Sequence, residues 1–511
     1  MSARKQIYYE PLHKLSKGII DLTGCATPQR FRWVDAAALV DDNYLRIVES
    51  DQTDESALDE IPYASISYVW RGEAHVCDPG CLGTFRVVGK RGPTADPISI
   101  DVLRTAAIAA RDLGAAYLWL DRLCIMQAVR DDKDWQIMNM GDIYRCSTTC
   151  LIFPGGVQRL VALDEETTWI LRAWTLQEAV LPPRAECVIR FEHIIVEAIS
   201  SGGDPSVYPV EAKRSGRIPL HSLLQLSMSG RVHHRYEGDA EMGEYPVTIF
   251  GTSTTAVQLR TALLGIWHCG SSDPDGRENY MWRSALLRTT RDDVDNVFSV
   301  MGLFDIRLDP AKYPTRETAA IGLAQAILAR GGRANWIMSA NSNTLPLPKF
   351  PKAQLAGSGL EGPAVEELEN FHAFGGNFNA VLVDTPTGSL ADDGTLKMSL
   401  PMARVRVVTS EEGEEHVEFL DSEGNPTGAK TGFSGAPGTH ALLVGKLVAV
   451  HFVAVWQLAT DTAVVLVEKC GRKDGMWHRT GVTDVERSEV AHCFKDAAVA
   501  FSLKCCDDRA Q

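Results

Sequence analysis

The sequence predicts an α/β protein in which a parallel sheet covered by helices is followed by a mainly helical region and then a mostly antiparallel β domain. Three observations predict it. Between residues 63 and 191, short apolar and β-branched runs alternate with helical spacings in the order strand, helix, strand, helix, strand, helix, strand. That alternation implies parallel strands with helices on both faces. From 218 to 340 the spacing is mainly helical, and from 370 onward runs alternate apolar and polar with Gly and Asp in their turns, as antiparallel strands do. A chain of 511 residues, 45% hydrophobic and 23% charged, is long enough for several domains. The predicted divisions are an N-terminal lead-in (1–60), the α/β domain (61–200), the helical region (217–340) and the β-rich domain (370–505).

Residues 1–60 combine a predicted helix or two with an acidic stretch, Glu49 to Glu60, before Pro62. YASISYVW (63–70) is a buried strand bounded by Pro62 and Gly72, and Arg71, Gly72 and Glu73 leave it in a turn. The Gly-, Pro- and Cys-rich insert from His75 to Pro97 reads as a loop. A helix follows, with Asp101 as its cap, Val102, Leu103, Ala106, Ala107 and Ala110 as its apolar stripe, and Gly114 as its stop. Tyr117 to Ile125 is the second strand, with Asp121 at its downstream end. Asp131 to Arg145 is helical, with Trp135, Met138, Met140 and Tyr144 facing inward.

Thr148 to Phe153 is the third strand, closed by Pro154, Gly155 and Gly156. Trp169 to Arg184 is one helix, ended by Pro182 and Pro183, with Trp174 and Glu178 four apart on one face. Cys187 to Phe191 is the fourth strand. Ser200 to Gly216 is a linker, Trp282 to Phe304 a strong helical segment, and Leu345 to Gly362 a second linker. The β runs beyond are 379–384, 403–409, 416–420, 442–456 and 463–468.

A formal charge of −15 argues against a general binder of nucleic acid, which needs clustered Lys and Arg to displace counterions. The N-terminus has no apolar run after its basic residues, so no secretory signal is read there. Ala441 to Cys470 is interrupted by Lys446, His451, Gln457 and Asp461 and is no membrane span. The expectation is a soluble, cytoplasmic protein whose 12 cysteines are free thiols. His75, Cys77 and Cys81 are close in sequence, and His-Cys pairs occur at 268–269 and 492–493, but no paired C-x-x-C knuckles accompany them, so no metal site is expected.

In wound parallel sheets, ligands bind outside the carboxyl ends of the strands. Here those positions are Trp70 to Glu73, Asp121 to Gln127 and Pro154 to Gly156, and the Trp174/Glu178 face, with Arg172 and Gln177 nearby, follows the third strand. The plainer alternative makes Trp174 a core residue and pairs Glu178 with an arginine. No G-x-S-x-G elbow follows a strand, since GFSGAPG (432–438) has the wrong spacing, and Cys124 at a buried strand end reads as a small apolar residue. GNPTGAKT (424–431) is a turn, not a phosphate loop.

ISYVW (66–70), YLWLDRLCIMQ (117–127) and RAWTLQE (172–178) resemble, in order and spacing, the blocks of the fungal heterokaryon-incompatibility (HET) domain. MGDIYRCSTTCLIF (140–153) and RTTRDDVDNVFSVMGLF (288–304) resemble pieces found between and after those blocks. Two positions depart from the pattern: Arg71 stands where Gly usually follows the Trp, and Met126 where Asp or Asn usually precedes the Gln. The resemblance implies a part in fungal non-self recognition and cell death. It also implies distant similarity to the Toll/interleukin-1 receptor (TIR) domain, with its flavodoxin-like sheet. In TIR enzymes that cleave NAD, a Glu four residues after a Trp is catalytic, and that position falls on Glu178.

On the catalytic reading of that resemblance NAD would be a substrate, with no cofactor permanently bound. Trp174 or Trp70 would stack on a base, Arg71 or Arg122 would meet a phosphate, and Asp121 would hold a ribose hydroxyl. Two functions stay open, each compatible with self-association and a protein partner in signalling: an NAD glycohydrolase, and a non-catalytic module that docks through the Trp174/Glu178 surface.

Overall fold

The computed structural model describes residues 4–334 apart from 54–55, 60, 73, 75–80, 90–95, 192–194, 200–206, 237–242 and 271–272, and beyond them 336, 355–356, 359–360, 380–383, 387–435, 438–449, 461–469, 476–486, 493–494 and 499–503. The chain divides into two compact units, one of Met1–Arg260 with Phe298–Lys312, the other of Thr261–Val297 with Tyr313–Gln511.

The first unit is built on a nine-stranded sheet. Its strands are β1 (Lys5–Pro11), β2 (Arg32–Asp35), β3 (Tyr44–Glu49), β4 (Tyr63–Tyr68), β5 (Tyr117–Trp119), β6 (Thr149–Phe153), β7 (Ala185–Arg190), β8 (Tyr208–Glu211) and β9 (Ser215–Pro219). They lie in the order β1-β3-β2-β5-β4-β6-β7-β9-β8. β5, β4, β6 and β7 are mutually parallel, so the four strands read from the sequence run second, first, third, fourth. The crossovers part company beside β4, and that is where a wound sheet opens a crevice. Every residue of β4 and β6 is buried, as parallel strands covered on both faces require.

Both flanks hold strands that were not expected. β1, β2 and β3 add antiparallel to β5, so the lead-in contributes sheet as well as the two one-turn helices Leu12–Leu15 and Ser56–Asp59. β8 and β9, which extend the sheet beyond β7, occupy part of the predicted linker.

The helices between Ile100 and Val180 are α1 (Ile100–Asp112), α2 (Asp121–Cys124), α3 (Arg130–Met138), α4 (Met140–Arg145) and α5 (Thr175–Val180). The cap of α1 is Ser99, whose hydroxyl accepts from the Val102 N–H at 3.4 Å, whereas Asp101 accepts from the Leu82 N–H at 2.9 Å. Gly114 does end α1, at φ +86°. The second strand stops at Trp119, and Asp121 opens the single turn α2. The expected helix over 131–145 breaks at Asn139, whose side chain donates to the Trp135 carbonyl at 2.8 Å. Of its four inward candidates, Met140 and Tyr144 are buried while Trp135 and Met138 are half-buried.

The 169–184 stretch is not one helix. Trp169–Leu171 forms a 3-10 turn, Arg172 is extended, and α5 covers only six residues. The Thr175 hydroxyl donates to the carbonyls of Trp169 (2.9 Å) and Arg172 (2.7 Å), local bonds that compete with helical pairing.

Residues 302–307 lie along α4. Arg145 Nη2 donates to the Gly302 carbonyl at 2.8 Å, and Asp142 pairs with Arg145 (2.6 Å) and Arg307 (2.8 Å). A Cβ on Gly302 would stand 2.8 Å from the Gly141 Cα and 3.2 Å from Gln177 Oε1, so only a bare backbone fits between α4 and α5.

The middle of the chain is helical over Leu220–Ser229, Thr254–Cys269, Pro274–Leu286, Asp295–Met301 and Arg316–Ala329, and the predicted segment 282–304 holds the end of one helix and the whole of another. In the second unit, an 11-stranded sheet runs from Ala380 to Leu503. Its neighbours are antiparallel except Met476–Glu486 with Val499–Leu503, and Val405, Val417, Phe419 and Leu466 lie at its core. Most of the predicted 345–362 linker and of the run 442–456 after Ala449 lies outside the described residues. Among the described residues, no helix is long and apolar enough to cross a membrane.

Candidate functional site

Alternation along β4 puts Ser65 and Ser67 on one face. A buried hydroxyl needs a partner, and each has one: Ser65 bonds the Ser147 hydroxyl at 3.1 Å, and Ser67 donates to Glu178 Oε2 at 2.5 Å. Glu178 is 8% exposed, because α5 is laid against the sheet with all six of its residues buried. The Ser67 oxygen in turn accepts the indole N–H of Trp169 at 2.8 Å.

Burial pushes the Glu178 carboxyl up to about 7; the Ser67 bond works against that, the negative charge of Asp121 adds to it, and Arg172 and the Tyr144 hydroxyl oppose it. An acid held in this range changes its charge near neutral pH. Arg172 is itself held below its usual range by the packing around it, partly offset by Glu178.

Asp121 stands where β5 turns into α2. Its two oxygens accept the Tyr68 hydroxyl (2.6 Å) and the Trp70 indole N–H (2.8 Å). Burial raises its carboxyl above the usual range, against the pull of those two bonds and of Arg122. Arg122 is 2% exposed and donates to the Asp96 carbonyl, while its Nη1 is buried without a hydrogen-bond partner among the described residues. Asp96 also accepts the Gly72 N–H at 3.0 Å. A Cβ on Gly72 would stand 2.8 Å from the Gly156 Cα, so the loops leaving β4 and β6 touch backbone to backbone. Gly72 makes this approach one position after Arg71, which accounts for where the glycine falls in this chain.

The structure thus brings four of the six predicted residues to the carboxyl ends of β4 and β5. Trp70 and Asp121 bond directly, Glu178 is close enough to Asp121 to feel its charge, and Arg122 adjoins Asp121. Arg71 is exposed, and Trp174 is half-buried at the N-cap of α5 rather than inside a helix. Sequence reasoning missed Ser67 and Tyr68 as partners of the acids, Trp169 as the partner of Ser67, and Tyr144 beside them. The signal available was two serines inside an otherwise apolar buried strand.

Cys124 is buried, and burial pushes its thiol up to about 12, which removes it as a nucleophile at neutral pH. No group of three or more His, Cys, Asp or Glu side chains is placed to hold a metal ion among the described residues.

Residues 63–163 match the family described as Heterokaryon incompatibility protein (HET). No curated protein and no solved structure matches the chain. The matched stretch contains Trp70, Arg71, Asp121 and Arg122 and ends before Trp169, Trp174 and Glu178.

Proposed function

From a chain whose residues 63–163 are a HET domain, we propose an effector of non-self recognition that cleaves the nicotinamide–ribose bond of NAD with Glu178. Breaking that bond leaves a cationic, oxocarbenium-like ribose and releases nicotinamide as a neutral molecule that needs no proton. One carboxylate beside the ribose stabilises the developing charge, unlike the paired carboxyls of ordinary glycosidases. The observation that carries the reading is the junction of two coupled acids, Glu178 and Asp121, with Arg172 and Trp70 at the carboxyl ends of parallel strands. Clusters of mutually perturbed titratable groups in such a place are characteristic of functional sites. In this reading Trp70 offers its ring to a base, Asp121 accepts from a ribose hydroxyl, and the unpartnered Arg122 Nη1 favours a phosphate oxygen.

The ionised form of Glu178 is the working one, so turnover rises with pH through about 7. The test is purified full-length protein incubated with NAD, with and without a crowding agent, and free nicotinamide measured by chromatography. Glu178→Gln is expected to lower turnover at least about a hundredfold; turnover equal to the parent removes Glu178 from the chemistry.

A second reading rests on the 8% exposure of Glu178. A satisfied, covered acid suits a module that signals by docking, with Trp70, Arg71 and Trp174 as its contact surface. Protein that binds a partner through those residues and never consumes NAD, even when assembled, favours it.

A further inference from the structure

We propose that Trp169 and Ser67 are positioning residues that decide which oxygen of Glu178 carries its proton. A serine hydroxyl has one proton and two lone pairs, and an indole N–H can only donate. The Trp169 N–H donates to Ser67 Oγ at 2.8 Å and cannot accept in return, so among the described residues the single Ser67 proton has Glu178 Oε2, 2.5 Å away, as its acceptor. Oε2 is thereby kept as an acceptor in both charge states. The proton that Glu178 binds and releases resides on Oε1, and Oε1 is the oxygen that meets a substrate.

The chain is held at its far end. Trp169 has no exposed surface, its ring packs on Phe250 with centroids 5.6 Å apart, and its carbonyl accepts from the Arg172 N–H (3.2 Å) and the Thr175 hydroxyl (2.9 Å). The turn that frees Trp169 from α5 is what lets its indole reach β4. The other groups felt by the carboxyl are the charges of Asp121 on α2 and Arg172 ahead of α5, together with the neutral Tyr68 of β4, Tyr144 of α4 and the Cys150 thiol of β6. None of these bonds the Ser67 hydroxyl, which leaves Trp169 as its donor and Glu178 as its acceptor.

This inference deepens the reading of Glu178 as the working acid, but its test does not depend on turnover. Difference infrared spectra, parent minus Glu178→Gln, follow the protonated carboxyl stretch of Glu178 across pH. Ser67→Ala is expected to move the midpoint up by about half a unit or more, because the lost bond favours the ionised form, and to shift the stretch itself. Trp169→Phe should move both in the same direction by less, and Ser67→Thr should restore the parent values. If NAD is hydrolysed, kcat at pH 7 should fall about tenfold in Ser67→Ala with KM little changed. A midpoint and stretch unmoved in Ser67→Ala overturn the proposal. Should Ser67→Ala fail to fold, unmoved values in Trp169→Phe overturn it equally. Moved values in a protein without NAD turnover uphold the relay and reject the NAD reading.

Discussion

Two buried acids of the first unit, Asp132 and Glu178, have opposite surroundings. Asp132 has no exposed surface and meets Arg32 through two bonds of 3.0 and 2.9 Å, while the N–H groups of Gln29 and Met126 add bonds of 2.7 and 2.9 Å. Its lone pairs are matched by a fixed cation and fixed amides, the arrangement that lets an ion stay charged in a dry interior. Glu178 is nearly as deep, but the hydroxyl of Ser67 is its donor, the Tyr144 hydroxyl donates to the Ile66 carbonyl, and the charges of Asp121 and Arg172 act on the acid with opposite signs. The first acid ties β2 to the first turn of α3 and to the loop before it. The second is pushed by its burial up to about 7, with a neutral hydroxyl as its donor in place of a fixed cation.

The contrast can be broken at its structural end first. Arg32→Met strands Asp132 as an unpaired buried charge, and the loss expected is about 3–5 kcal/mol, read from the urea midpoint. At the other end, Glu178→Gln should stabilise the protein at pH 8, by as much as roughly 3 kcal/mol. Below the usual carboxyl value of 4.5, Glu178 is protonated whether folded or unfolded, so the variant and parent agree there. Between 4.5 and about 7 the unfolded chain sheds the proton while the folded chain keeps it, so parent stability falls with rising pH. Equal stability of variant and parent at pH 8 would make Glu178 an ordinary satisfied acid like Asp132. The smallest effect belongs to Asp121→Asn. Removing that negative charge should lower the Glu178 titration midpoint by a few tenths of a unit, seen as an acid-ward drift of the pH–turnover curve.

Much of this architecture was legible because it is written locally. The parallel strands are short apolar runs, their crossovers carry helical spacing, and Gly114 marks a stop that the backbone needs. The flanking strands were not legible because their pairing is remote: Val34 lies opposite Leu118 and Ile218 opposite Cys187, and nothing in residues 1–60 or 200–216 announces a partner so far along the chain. The site was half legible. Asp121 and Trp70 sit at predicted strand ends, where their contact follows from the sheet. The three-residue pattern of Ser67, Trp169 and Glu178 joins a strand to a helix by way of a broken turn, and a continuous helix over 169–184 would have turned Trp169 elsewhere.

Six residues make too short a helix to persist alone in water, and α5 is that short. What keeps it in place is whatever leans on it, and among those supports is Gly302, which comes more than a hundred residues later and packs beside Gln177, the immediate neighbour of the acid. A fragment trimmed at residue 163 would lack the acid altogether, and one trimmed at 200 would keep the acid but lose its backrest. The segment that a family pattern can mark out is therefore smaller than the smallest piece of this chain that should work.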